Sequence, residues 1–428
     1  MHSFHYRDGE LYCEESALAR AAEEFGTPLY VYSAGTIVDH YRRLDSALAS
    51  LDHLICYAVK ANSNGAILKL LAEAGAGFDI VSGSELFRVL KAGGAAAKCT
   101  FAGVGKSREE IEFALDEGVH SFNVESEAEL ERIDRIARDK GVRAPIALRV
   151  NPDVDAHTHH YVSTGRSENK FGIALDRVAA VYENAARLPN ILIRGIQMHI
   201  GSQITAAQPF AEAIGKVAPL VRELKERYAI EFFSVGGGMG IIYRRALESG
   251  SGKWWHEHDG EAAAFSVADY AAAIIPALRE LNLRVLLEPG RFLVGNAGVL
   301  LTRVRYLKQA AQKKFVIVDA GMNDLIRPAL YQSYHEIVPV REPAGAKREP
   351  VDVVGPVCES GDFFAQDREL PEMNEGDLVA LMSAGAYGFA MASNYNSRPL
   401  PAEVLVTGNR TALIRRRQTM ADLVREEC

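Results

Sequence analysis

The chain has 428 residues, 48% hydrophobic and 24% charged, a soluble globular balance with enough length for two domains. Its formal net charge of −8 argues against nucleic acid as the main partner, because phosphate contacts need clustered Lys and Arg. Its five cysteines (13, 56, 99, 358 and 428) have no C-x-x-C spacing, so neither a zinc site nor a disulfide framework is indicated, and a reducing cytoplasm is the expected setting.

In chain order, the first ~25 residues alternate like short strands (Ser3-Phe4-His5-Tyr6-Arg7, then Leu11-Tyr12-Cys13) and are expected to pair with a later β domain. Residues 1–10 are polar and mixed in charge, and no run reaches transmembrane length, so neither a signal segment nor a membrane partner is expected. After an entry at 29–32, eight strands are expected at 53–59, 77–81, 99–101, 121–124, 145–150, 193–199, 232–235 and 284–288. Helical stretches lie between them at 65–74, 83–92, 107–117, 125–140 and 175–187. Eight such repeats predict an α/β fold, a (β/α)₈ TIM-type barrel; the competing doubly wound sheet has no G-x-G-x-x-G after its first strand. Residues 243–264, rich in Ser, Gly, Trp and His, read as a surface excursion. Beyond 288, Val-rich runs at 299–306, 314–318, 351–354, 378–382 and 402–407 predict a β-rich second domain. The expected domains are 1–28 (strands joining the β domain), 29–287 (barrel) and 288–428 (β domain).

Chemistry-bearing residues gather at the expected strand ends. Lys60 ends the first strand, in Tyr57-Ala58-Val59-Lys60-Ala61-Asn62, where partial burial favours a neutral amine able to form a Schiff base. Asp79 lies near the end of the second, Arg149 and Asn151 close the fifth, and His199 ends the sixth. Gly236-Gly237-Gly238 follows the seventh and Glu288-Pro289-Gly290-Arg291 the eighth. In a barrel these ends form one reactive face, with phosphate commonly bound after strands seven and eight. A lysine, a glycine-rich turn, a flat histidine and a carboxylate together match the needs of pyridoxal 5′-phosphate.

These stretches, with Lys170-Phe171-Gly172, Asp319 to Tyr331, Cys358-Glu359-Ser360-Gly361-Asp362 and Gly385-Ala386-Tyr387-Gly388, run in the order of a known family. The sequence resembles the fold-type III pyridoxal-phosphate decarboxylases, and within them the diaminopimelate decarboxylases. The resemblance implies that Lys60 carries the cofactor and that His199 faces its ring. It implies that Ser202, the glycine triplet, Gly290 and Tyr387 hold the phosphate, with Asp79 and Arg291 also at the cofactor. Glu288 is expected to pair with the pyridine nitrogen and keep it protonated, which favours decarboxylation; an arginine there would favour racemisation. Arg291, Arg327, Tyr331, Glu359 and Tyr387 are the implied substrate residues, and Cys358 the proton donor. The implied reaction turns meso-2,6-diaminopimelate into L-lysine and CO₂, in a homodimer with shared sites.

Other functions fit the residues less well. Within the same superfamily the alternatives are a decarboxylase of ornithine, arginine or lysine, whose substrates have no second carboxylate for Arg327, a carboxynorspermidine-type enzyme, and an enzyme acting on a carrier-bound amino acid; a non-enzymatic cofactor carrier has little need of Cys358 and Glu359. Gly103-Val104-Gly105-Lys106-Ser107 lacks the earlier glycine of a nucleotide loop, since position 100 is Thr100. The histidines 157, 159, 160, 256 and 258 lack fixed ligand spacing and read as loop residues.

Overall fold

Apolar runs and helical stretches alternate through the middle of the chain, and the computed structural model folds them into a closed barrel. It describes residues 2–154, 170–251, 254, 266–342 and 345–428, so the histidines at 157–160 and 256–258 lie outside the described residues. Two compact units result: His40–Ile241 with Ala263–Phe292, and Met1–Asp39 with Ile242–Ala262 and Leu293–Cys428.

In the first unit the barrel strands among the described residues are β1 (His53–Ala58), β2 (Gly77–Ile80), β3 (Cys99–Phe101), β4 (Ser121–Val124), β5 (Ala144–Asn151), β6 (Ile191–Met198), β7 (Phe232–Ser234) and β8 (Arg284–Leu287). Each pairs in parallel with its neighbour, and β8 returns to β1 through Val285 and His53. Buried on both faces, these strands are near-continuous apolar runs, which is why they were legible as strands. Helix ends are set locally. Ser107 caps Arg108–Glu117 in a capping box with Glu110, Ser126 caps Glu127–Lys140, and Gly118 and Gly141 close those two helices in the left-handed region. Each such cap contributes about 1 kcal/mol. Register matters for function: Asp79 lies beside Ala58, so β1 and β2 present their C-terminal ends together.

The second unit is a β-sheet structure. Its main sheet runs Phe363–Pro371, Arg348–Val354, Lys314–Val318, Gly298–Gln309, Leu29–Ser33, Ala402–Thr407 and Arg410–Arg415. Two shorter strands, Leu378–Leu381 and Ile337–Pro339, extend it from Gly298–Gln309. The N-terminal strands Phe4–Arg7, Glu10–Cys13 and Ser16–Ala17 form a separate small sheet. Phe4, Leu11 and Cys13 nevertheless bury into one core with Val299, Leu301, Ala380 and Val404. Among the described residues no helix is long and apolar enough to cross a membrane.

Two segments differ from expectation. Leu29–Ser33, placed at the barrel's start by the sequence reading, pairs with Gly298–Gln309 and Ala402–Thr407 in the β unit. All five of its residues are buried, and a strand covered on both faces carries no alternation to distinguish sheet from barrel. The expected surface excursion 243–264 is mixed where it is described: Arg244, Arg245, Glu248 and Ser251 are exposed, but Ala246, Ser249 and Trp254 are buried.

Candidate active site

Lys60 sits in the single turn Val59–Ala61 that ends β1. Its Nζ lies 2.6 Å from Asp79 Oδ2, with the lysine side chain 38% exposed and the aspartate 1%. The ammonium therefore sits at the surface of the site while its counter-ion lies beneath. Asp79 Oδ1 is buried and has no hydrogen-bond partner among the described residues. Pro289 accepts from the Ala58 N–H at 3.0 Å, and a side chain at Gly290 would press on Ala58 and Ala61 within 3.1 Å, so the turn after β8 packs on the Lys60 turn.

Glu288 follows β8 and is buried. Its Oε1 accepts from Ser234 Oγ at 2.7 Å and Asn123 Nδ2 at 3.3 Å, and its Oε2 from Gln197 Nε2 at 2.9 Å. Burial raises its pKa to about 7, with the Asp79 charge adding to the rise and the bonds from Ser234 and Gln197 opposing it. Among the described residues no charged group donates to it, so three neutral donors aim one carboxylate.

His199 follows β6 directly. Burial first, then the Arg149 and Lys60 charges, lower its pKa well below the ordinary range, so the ring is neutral. Its Nδ1 accepts from the Gly237 N–H at 3.2 Å, which leaves the proton on Nε2. Gly236-Gly237-Gly238 needs glycine at each position. Gly236 (φ +71°) and Gly238 (φ +113°) are left-handed, and a side chain at 236, 237 or 238 would run into the carbonyls of Met198, Glu288 or Gly201 respectively. Ser202 Oγ accepts from Arg291 Nη2 at 3.0 Å, so two residues expected at the cofactor meet directly. Within this unit the structure brings together Lys60 with Asp79, Gly237 with His199 and Glu288, and Ser202 with Arg291.

A second ionic layer surrounds these groups. Arg149 pairs with Glu125 at 3.0 Å, both almost fully buried, and Glu125 also accepts from the Gly103 and Gly172 N–H groups. Lys106, the lysine of the rejected nucleotide-loop look-alike, is buried and donates to Gly103 O, Asn123 O and Glu129 Oε1 at 2.6–3.0 Å. Its ammonium locks strand ends instead of facing a ligand.

The β unit carries the remaining expected residues. Arg327 is buried at the start of the helical turn Arg327–Tyr331, with its guanidinium carbon 6.0 Å from the Tyr331 ring. Its Nη2 donates to Tyr243 OH at 3.1 Å and Ser333 Oγ at 3.2 Å, and its Nε to His335 Nε2 at 3.4 Å. Cys358 and Glu359 are exposed. Their loop is clamped by Asp362, which accepts from the Met322 and Val357 N–H groups at 2.6 Å each, and by Asn396, which accepts from the Cys358 N–H at 2.8 Å. Tyr387 holds φ +56° between Ala386 and Gly388, a costly backbone for a bulky residue and one typical of functional turns.

Sequence reading missed Asn123, Gln197 and Ser234, which aim Glu288, and Tyr243 and His335, which hold Arg327. Neutral polar residues inside apolar strands carry no motif; an unpaired polar residue at a barrel-interior position was the one signal available.

Residues 34–295 match the family model described as the pyridoxal-dependent decarboxylase, pyridoxal binding domain. The chain is 52% identical to the diaminopimelate decarboxylase of Pseudomonas aeruginosa over 424 residues, covering 99% of this chain and 98% of that protein. Among solved structures, the diaminopimelate decarboxylase from Helicobacter pylori complexed with L-lysine matches with a TM-score of 0.88 at 41% identity, covering 96% of this chain and 99% of that one. That of M. jannaschii in co-complex with L-lysine matches with a TM-score of 0.91 at 37% identity, covering 100% and 98%. The resemblance read from the motifs thus extends through both units, and identity of this extent makes the chain a member of the diaminopimelate decarboxylase family of pyridoxal-dependent decarboxylases.

Proposed function

We propose that this chain removes CO₂ from meso-2,6-diaminopimelate to give L-lysine, the last step of lysine biosynthesis, using pyridoxal 5′-phosphate. The observation that carries this reading is Glu288, a buried carboxylate aimed by three neutral donors in the same barrel as Lys60. The barrel residues fit the cofactor on two counts. The glycine triplet lets the turn after β7 pack closely on the Met198, Glu288 and Gly201 carbonyls, at the place where a barrel commonly holds a phosphate. Glu288, whose anion is disfavoured by burial among neutral donors, would gain its counter-charge from a cationic ring nitrogen.

Pyridoxal 5′-phosphate supplies, when bound, an electron sink for the pair left behind as CO₂ departs. Lys60 provides the amine that holds it, and Asp79 neutralises that amine from below. Gly236, Gly237, Gly238, Ser202, Gly290 and Tyr387 hold the phosphate. His199, being neutral, offers a flat face without repelling a cationic ring. Glu288 keeps the proton on the ring nitrogen. Arg291 steadies Ser202 and, with Arg327, serves carboxylates; bidentate guanidinium–carboxylate pairing is strong and directional. Tyr331 and Glu359 receive the polar far end of the substrate, and Cys358 gives a proton to the carbon that lost CO₂. Two copies of the chain share sites, with Cys358 and Glu359 reaching the partner, and the enzyme works in the cytoplasm. Exposed Cys358 and Glu359 on a clamped loop support that exchange.

The test is CO₂ release from a panel of diaminopimelate stereoisomers, lysine, ornithine and arginine. The reading expects release from the meso isomer with L-lysine as product. Release from ornithine or lysine alone would overturn it.

A further inference from the structure

We propose that His335 is a positioning residue that fixes the Arg327 guanidinium for the substrate's second carboxylate, an inference that rests on the reading of Arg327 given above. His335 is fully buried. Its Nδ1 lies 2.9 Å from Met382 O, a carbonyl that only accepts, so Nδ1 carries the proton. Nε2 therefore points a lone pair at Arg327 Nε, 3.4 Å away. A neutral ring in this one tautomer is the form that can accept from an arginine; a charged ring would repel it.

The ring itself has little freedom. The His335 carbonyl accepts from Arg368 Nη1 at 3.0 Å, and the ring meets Tyr243 edge-on at 5.3 Å. Tyr243 in turn accepts from Arg327 Nη2. The guanidinium is thus held at Nε by His335 and at Nη2 by Tyr243 and Ser333. A guanidinium meets a carboxylate with directional bonds only when its plane is set, so the group that sets the plane controls affinity for a substrate bearing that carboxylate.

Three variants of the holoenzyme decide the matter, with KM and kcat measured on meso-diaminopimelate. His335→Asn keeps an amide near Met382 O but falls short of Arg327, and is expected to raise KM about tenfold with kcat within about twofold of wild type. His335→Gln reaches Arg327 and is expected to restore most of that loss. Arg327→Met is expected to raise KM further, and adding His335→Asn to it to change KM no more, since the histidine acts through the arginine. Equal KM shifts in the Asn and Gln variants, or unchanged KM in the Asn variant while Arg327→Met raises it, would overturn the positioning role. Unchanged KM in Arg327→Met would instead remove the reading of Arg327, and the proposal with it. A folding-independent check uses wild-type protein with ¹⁵N-labelled histidine. His335 is expected to show the Nδ1–H tautomer that Met382 O selects; an Nε2–H ring contradicts the proposal.

Discussion

Lys60 and Asp79 form an ion pair at 2.6 Å across β1 and β2, the lysine partly exposed and the aspartate buried. The pair is one-sided: the aspartate has left water for a partner that still reaches it. Removing the lysine strands a buried charge, while removing the aspartate frees an amine at the surface of the site.

Lys60→Ala is therefore expected to abolish the cofactor's protein-bound visible absorbance and to cut turnover about a thousandfold or more. Absorbance spectra of the purified variant, before and after adding cofactor, check this. Retained covalent cofactor removes Lys60 from its role.

Glu288 gives a pH dependence with a definite sign. Its folded pKa is raised from 4.5 to about 7. The folded state binds this proton more tightly than the unfolded chain does. Its stabilising contribution is present below about pH 4.5 and is lost as pH rises through about 7. Glu288→Gln removes this dependence. Cofactor-free unfolding free energies from urea titrations at pH 5.5 and 8, on wild type and variant, are expected to move in the variant's favour on going to the higher pH, by roughly 1–3 kcal/mol. The same variant should lose turnover about a hundredfold or more, because it cannot hold a cationic ring nitrogen.

Gly237→Ala places a methyl against the Glu288 carbonyl. We expect destabilisation of about 2–4 kcal/mol and poor cofactor retention. Gly105→Ala is the control, with open space around the added methyl. Thermal melts and cofactor-to-protein ratios report both, and equal behaviour of the two variants would show that the close approach at Gly237 is relaxed elsewhere.

Asp362 holds the Cys358 loop through two backbone N–H groups at 2.6 Å. Asp362→Ala should speed labelling of the Cys358 thiol and lower kcat, whereas Cys358→Ala should lower kcat with stability within about 0.5 kcal/mol of wild type. Mixed subunits of Lys60→Ala and Cys358→Ala should recover activity through one intact shared site. Exchanged heterodimers that stay inactive argue that each chain uses its own thiol.

The barrel was legible because eight parallel strands, each buried on both faces, read as apolar runs between capped helices, and because Lys60, His199, the glycine triplet and Glu288 stand at their ends. Leu29–Ser33 was misread for the same reason, since full burial looks alike in a barrel and in a sheet. Tyr243 was dismissed with a Ser- and Gly-rich stretch, yet it contacts Arg327. Asn123, Gln197, Ser234 and His335 were silent because their roles depend on which distant residue they face, and spacing along the chain cannot state that.

The most direct measurement of the central claim is product analysis after turnover of meso-diaminopimelate in D₂O. The account predicts CO₂ in equal amount to L-lysine, each lysine carrying one deuterium at the carbon that lost its carboxylate. Diaminopimelate recovered with deuterium at an α-carbon and no CO₂ released would mean that the site epimerises its substrate instead, and would contradict the account.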